Sequence, residues 1–213
     1  MKKLIVVGGG GFAKEVVWLA QDCGYEVAGI LDDNEAMHGQ KALNIDVLGP
    51  VKNWKKYSDC HFVLAIGSPR IRHLVFKKMT ALGEPKFATL IHPNVIKSQH
   101  VTIGEGSIIC AGCILTVEIA IGKHCILNLA DTIGHETVIG NFVTLAPMAA
   151  ISGNVTLADY SEVGTSACVR QGLTIEKGGM LGMGGVQTKH IPANTIFAGN
   201  PAKELKTIPQ VEE

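Results

Sequence analysis

Residues 126–153 read ILNLADTIGHETVIGNFVTLAPMAAISG. An aliphatic residue returns at every sixth position: Leu127, Ile133, Ile139, Leu145, Ile151. Counting outward adds Ile103, Ile109, Leu115 and Ile121 before them, and Leu157, Val163, Val169, Ile175 and Leu181 after them, with no gap. The residue four later is mostly small or modest, as at Ser107, Cys113, Ala149 and Ser161. The residue one later is often glycine, as at Gly104, Gly122, Gly134, Gly140, Gly164 and Gly182; this reads as the backbone freedom a tight corner needs. A beat of six is too short for a helix pair or a propeller blade and fits a parallel β-helix. Three short strands with a corner each make one triangular coil, and Ile103-Gly104, Ile121-Gly122 and Ile139-Gly140 repeat at that longer interval. The aliphatic residues point inward and stack from coil to coil, which is how a solenoid buries a core. A β-sandwich would place turns every 8 to 12 residues, and the beat excludes it. Handedness does not follow from the spacing, and the usual crossover rule favours right.

The first part of the chain has a different rhythm. LIVV (4–7) is a short buried strand that runs into GGGG, and AKEVVWLAQDCG (13–24) has helical spacing with Gly24 as a stop. EVAGILDD (26–33) and HFVLAIG (61–67) are further strands, and SPRIRHLVFKKMTALG (68–83) is a second helix. Strand alternating with helix predicts a small parallel sheet with helical cover. The division is placed at 1–85 and 86–213. Ligands of such sheets bind at the carboxyl ends of the strands, which here are Gly8 to Phe12, Asp32-Asp33 and Gly67-Ser68.

The chain has 213 residues, with 19 Lys plus Arg against 19 Asp plus Glu. A neutral chain without a basic run argues against nucleic acid as partner. No apolar run approaches the roughly 18 residues of a membrane span. The opening MKKLIVVGGGGFAKE has too short an apolar stretch for a signal peptide and reads as a first strand. Six cysteines without an export signal read as free thiols in a reducing compartment, the cytoplasm. Cys110 and Cys113 form a CxxC, but no second ligand pair stands at zinc spacing, so no metal is expected.

Two motifs carry chemistry. GGGGFA satisfies G-x-G-x-x-A through Gly8, Gly10 and Ala13, after a strand and before a helix. Read alone it is a dinucleotide site with Asp32 as ribose partner, or a plain tight turn. GHETVIG holds His135 and Glu136 just past the inward Ile133, at or beside a corner. Histidine, with an ordinary pKa of roughly 6.5, suits a general base near neutral pH. Glu136 can support the imidazole only if the chain bends there, because adjacent residues on a straight strand face opposite ways. His124, near another corner, lies outside the motif and reads as a solvent-facing histidine. Asp131 falls in the small, inward phase, where a carboxylate needs a partner or a raised pKa; it either reaches toward His135 or tilts outward.

The beat resembles the hexapeptide-repeat acyltransferases. The succession GGGGFAKE, LDD, AIGSPRIR, LIHP, GHETVIG, SGNVTLA and AGNPAK resembles the PglD/NeuD-like sugar acetyltransferases over nearly the whole chain. That resemblance implies a Rossmann-like α/β domain, then a left-handed parallel β-helix with a short C-terminal segment. It implies an acetyl-CoA-dependent N-acetyltransferase acting on a UDP-, dTDP- or GDP-linked 4-amino-4,6-dideoxy sugar for surface glycan synthesis. It also implies a homotrimer with active sites between subunits.

By the same resemblance His135 is the general base, supported by Glu136. Gly10, Gly11, Phe12, Asp32, Asp33, Gly67 and Asn128 meet the nucleotide sugar. The Gly153 N–H meets the thioester oxygen, while Thr144, Thr165, Met183, Lys189 and Lys203 lie along acetyl-CoA. Relatives often have histidine at Phe12, and some at Thr144. Sugar O-acetylation and an inactive binding or activator subunit are the alternatives. A zinc carbonic anhydrase needs histidines in one phase, which His100, His124 and His135 are not. A nicotinamide oxidoreductase needs a larger first half.

Overall fold

The computed structural model describes residues 1–211. The chain forms two compact units, Met1–Pro93 and Asn94–Glu213.

In the first unit β1 (Lys2–Val7) leads into α1 (Gly11–Asp22), β2 (Tyr25–Leu31), β3 (Lys41–Ala42), β4 (Ile45–Gly49), β5 (His61–Leu64) and α2 (Pro69–Thr80). The sheet order is β3-β4-β2-β1-β5, parallel except for the β3–β4 hairpin. Residues Leu4 to Val7 are buried, as a run of branched aliphatics covered on both faces must be. Trp54 packs edge-on against Phe62, with ring centroids 5.5 Å apart, in a core shared with Ile5, Leu31 and Met79. The β3–β4 hairpin and the 3₁₀ segment Val51–Tyr57 are absent from the sequence reading. The hairpin signal was Leu43-Asn44, both at positive φ (47° and 65°), as a two-residue primed turn demands.

The second unit is a left-handed parallel β-helix. Its strands up to Gln187 are two or three residues long and pair eighteen residues apart, Leu127 with Leu145 and Ile133 with Ile151 among them. Thirteen of the fourteen beat positions are buried, and only the first, Ile103, is partly exposed. Fully burying such a side chain stabilises by about 1.5–3 kcal/mol, so the stack is the main source of the prism's stability. The last parallel strand, Thr195–Ala198, pairs antiparallel with Lys203–Thr207.

The structure corrects the account of the glycines. The left-handed corner residues are those three after each aliphatic: Gly106, Gly112, Glu118, His124, Ala130, Glu136, Phe142, Met148, Asn154, Tyr160, Ser166, Gly172, Gly178 and Gly184, all at positive φ. Gly122, Gly134 and Gly164, one after the aliphatic, are needed for space instead. A Cβ at Gly122 would lie 2.6 Å from the Gly140 carbonyl oxygen, and one at Gly134 or Gly164 would strike the next coil's backbone in the same way.

His124 is also corrected. It is buried rather than solvent-facing. Its ring stacks on Phe142 at 5.0 Å, Phe142 stacks on Tyr160 at 5.6 Å, and the Lys177 ammonium sits 5.7 Å from the Tyr160 ring. These corner residues are one coil apart, so their rings form a ladder up one edge.

Asp131 neither tilts outward nor reaches His135: it is 0% exposed and points into the prism. Its Oδ1 accepts the Ala149 N–H at 2.8 Å, eighteen residues on, as Ser107 Oγ accepts the Cys125 N–H at 3.0 Å. Burial pushes its carboxyl up to about 8. Between an unfolded pKa of about 4 and that value, the folded chain holds a proton that the unfolded chain has released. Stability therefore falls as pH rises through that window, by up to about 1.4 kcal/mol per unit, and levels off above it. Asp131→Asn keeps the acceptor and removes the titration. Its Tm is expected to vary less between pH 5 and pH 8 than the native chain's; calorimetric curves of equal slope would contradict the assignment.

Candidate functional site

Two sets of residues are brought together, one in each unit. In the first unit a cavity of about 500 Å³ opens beyond β1, β2 and β5, lined by Gly8 to Phe12, Asp32, Asp33 and Gly67 among others. It sits where β2 and β5 diverge on either side of β1, the switch point at which open sheets bind ligands. Two helices begin near it, α1 after Gly10 and α2 after Ser68, and neither has a side-chain cap. Their N-termini turn a positive dipole end toward it. Phe12, Ile71 and Val75 supply an apolar wall.

The aspartates are more committed than the sequence suggests. Asp32 Oδ2 accepts the Gly9 N–H at 2.6 Å, and its Oδ1 accepts the Asn34 N–H at 2.7 Å. Asp33 Oδ1 accepts the Val51 N–H at 2.9 Å, and its Oδ2 pairs with Lys78 Nζ at 2.6 Å. Burial alone would lift the Asp33 carboxyl, but the Lys78 and Val51 hydrogen bonds outweigh it and hold it below its usual range. One glycine amide is thus already occupied by a carboxylate.

In the second unit His135 Nδ1 lies 2.9 Å from Glu136 Oε2, with both side chains about half exposed. Glu136 is a left-handed corner residue, φ 58°, and this bend lets adjacent residues meet. A carboxylate only accepts, so Nδ1 carries the hydrogen and Nε2 keeps its lone pair. Gly153 stands one coil on, against the imidazole: a Cβ there would collide with His135 Nε2 and Cε1. The Gly153 N–H makes no hydrogen bond among the described residues, whereas its carbonyl accepts the Gly172 N–H at 3.1 Å. The corner therefore offers a proton acceptor and a backbone donor side by side.

The remaining residues of interest lie elsewhere on the prism. Asn128, Thr165 and Met183 share the preceding corner, beside Ala130, Ser166 and Gly184 at positive φ. Met183 is 77% exposed. The Asn128 Oδ1 accepts the Leu129 N–H at 2.8 Å. Thr144 is buried, its N–H bonded to the Ser161 carbonyl at 3.1 Å. Lys189 and Lys203 face one cavity of about 350 Å³ with Phe197 and Pro201. One chain therefore does not place Asn128, Thr165 and Met183 beside His135.

Among the described residues no three His, Cys, Asp or Glu side chains cluster as metal ligands. The Cys113 thiol donates to the Asn128 carbonyl at 2.9 Å, and burial, reinforced by Asp131, pushes it up to about 12. No helix among those residues is long and apolar enough to cross a membrane.

A nucleotide-sized cavity on a parallel sheet, joined in one chain to a left-handed β-helix bearing a His-Glu corner, defines a hexapeptide-repeat acyltransferase with an α/β accessory domain. Comparison with known proteins narrows the class. Residues 3–79 match the PglD N-terminal domain. The chain is 32% identical to a GDP-perosamine N-acetyltransferase of Escherichia coli O157:H7 over 96% of each chain. It superposes on PerB from Caulobacter crescentus, solved with CoA and GDP-perosamine, with a TM-score of 0.86 at 29% identity, over 97% of this chain and 98% of that one. The acetyltransferase domain of PglB from Neisseria gonorrhoeae, solved with acetyl coenzyme A, gives 0.86 at 33% identity over 96% and 99%. The chain belongs to the PglD-like sugar N-acetyltransferase family.

Proposed function

We propose that this protein transfers the acetyl group of acetyl-CoA to the amino group of a nucleotide-linked 4-amino-4,6-dideoxy sugar. The observation that carries the reading is the His135–Glu136 pair set against Gly153. Acyl transfer to an amine needs a base for the proton and a donor for the oxyanion. The amine nitrogen attacks the thioester carbonyl while His135 Nε2 takes its proton. The Gly153 N–H stabilises the oxyanion, Glu136 stabilises the imidazolium, and the C–S bond breaks to release CoA thiolate, which is then protonated. Lys189 and Lys203 supply positive charge for the phosphates of CoA. Thr165 and Met183 line its pantetheine arm, Thr144 lies near it, and Asn128 orients the sugar. The α/β cavity, with Gly10, Gly11, Phe12, Asp32, Asp33 and Gly67, takes the nucleotide.

A homotrimer completes the site. Asn128, Thr165 and Met183 occupy a different corner from His135, so a neighbouring copy must bring the two sets together. The outward row before the His135 corner is Ile96, Ile114, Thr132, Ala150, Cys168 and Val186. Ile96 is 65% exposed. A mainly apolar row of this kind fits burial between copies. Sedimentation equilibrium is expected to give three times the chain mass; a stable monomer at working concentration would overturn this. All six cysteines are free, which suits a reducing compartment, the cytoplasm.

The test is thiol release from acetyl-CoA with UDP-, dTDP- and GDP-linked 4-amino sugars. Turnover with one of them is the expected result and names the nucleotide. Release with none of them would favour a hydroxyl acceptor or an inactive subunit.

A further inference from the structure

Arg72, on the first turn of α2, is 1% exposed and one of the largest fully buried side chains of the protein. Arginine is almost never buried so completely unless its donors are used. Its Nη1 donates to the Ile66 carbonyl at 2.6 Å and to the Gly67 carbonyl at 3.0 Å. Ile66 and Gly67 line the α/β cavity, and Arg72 does not. A trans peptide is planar, with N–H opposite C=O. Pulling the Gly67 carbonyl toward the buried guanidinium therefore turns the N–H of the same peptide, that of Ser68, the other way. The Ser68 N–H makes no hydrogen bond among the described residues, and Ser68 is the N-cap of α2, without a side-chain cap.

On the opposite rim the Gly9 position is less suited to an anion. The Gly9 N–H is already taken by Asp32 Oδ2 at 2.6 Å, which also places a carboxylate where a phosphate would meet that amide. Like charges at such range repel. The α2 side combines a helix N-terminus with an oriented N–H, and each favours an anion.

We propose that Arg72 is a positioning residue: it holds the Ile66–Gly67–Ser68 backbone so that the Ser68 N–H receives a phosphate oxygen of the bound nucleotide, on the α2 side of the cavity and not over Gly9. This rests on the nucleotide reading of the cavity given above.

Two variants of the full chain test it by calorimetric titration with UDP, GDP and dTDP, and with CoA as control. Ser68 has φ −65°, the angle proline fixes, so Ser68→Pro deletes the backbone donor while leaving Arg72 and the carbonyls intact; the hydroxyl lost with it is controlled by Ser68→Ala, which is expected to bind as the native chain does. Arg72→Met removes the anchor. Ser68→Pro and Arg72→Met are both expected to weaken the diphosphate that the native chain binds by about tenfold, the loss of one charge-assisted hydrogen bond, and to leave CoA affinity within about twofold. Unchanged diphosphate affinity in Ser68→Pro overturns the proposal, and that variant decides alone if Arg72→Met does not fold. Equal loss of diphosphate and CoA in both variants also overturns it, assigning Arg72 to stability. A native chain that binds CoA but no diphosphate overturns the nucleotide reading, and the proposal with it.

Discussion

Replacing His135 by alanine is expected to lower turnover roughly 10²- to 10⁴-fold, the range for a lost general base. The argument is geometric. Glu136 occupies Nδ1 at 2.9 Å, so the lone pair is left at Nε2, the atom that faces Gly153. The substitution removes no buried group, since the side chain is half exposed. Stability should change by no more than about 0.5 kcal/mol, as surface substitutions do, and KM for acetyl-CoA should hold. A steady-state comparison of native and His135→Ala protein checks this. Turnover unaffected by the substitution would remove His135 as the base. Glu136→Gln should fall between the two, because the amide can still accept from Nδ1–H but no longer stabilises an imidazolium.

Gly153→Ala should cost about 10²-fold in kcat with little loss of fold. The new methyl group would occupy the space of His135 Nε2 and Cε1. That neighbour is the end of a half-exposed side chain, not backbone, so the imidazole yields instead of the coil. It would swing away from the reacting nitrogen and strain its bond to Glu136, and a misplacement of about 1 Å is worth about 10²-fold in rate. The Gly153 N–H survives the substitution, so the loss reports on the imidazole's place. Thermal melts recorded beside the kinetics separate the two effects. Full activity in Gly153→Ala would show that the ring need not lie over this glycine.

The beat was legible because it is one-dimensional. Each inward aliphatic meets only its counterparts one coil away, so spacing alone locates it. What the corners do was less legible. Glycine at a corner suggests a conformational device, yet the positive φ values fall two residues further on, on Glu136, Phe142, Met148 and Tyr160 among others. The glycines after the aliphatics answer to the closeness of the next coil, a property of packing. Glu136 shows the same lesson in the site: its reach to His135 depends on a corner conformation that residue type does not announce. His124 belongs to a ring ladder that stands at eighteen-residue spacing as His124, Phe142 and Tyr160, and a histidine taken by itself does not reveal it. Arg72 lies in AIGSPRIR, but nothing in the sequence tells a buried arginine from the usual exposed one. The separation of Asn128 from His135 likewise needed the corners counted in space.

Chemical analysis of the acetylated product tests the central claim most directly. The native protein is incubated with acetyl-CoA and the nucleotide-linked 4-amino sugar that supports thiol release, and the product is treated with neutral hydroxylamine before mass spectrometry. An amide resists hydroxylamine, so the acetyl mass should persist, and a parallel reaction with His135→Ala, stopped while the native reaction is still in its initial phase, should yield at least about 10²-fold less of it. Loss of the acetyl group on treatment would mean an ester and a hydroxyl acceptor, and would contradict N-acetylation.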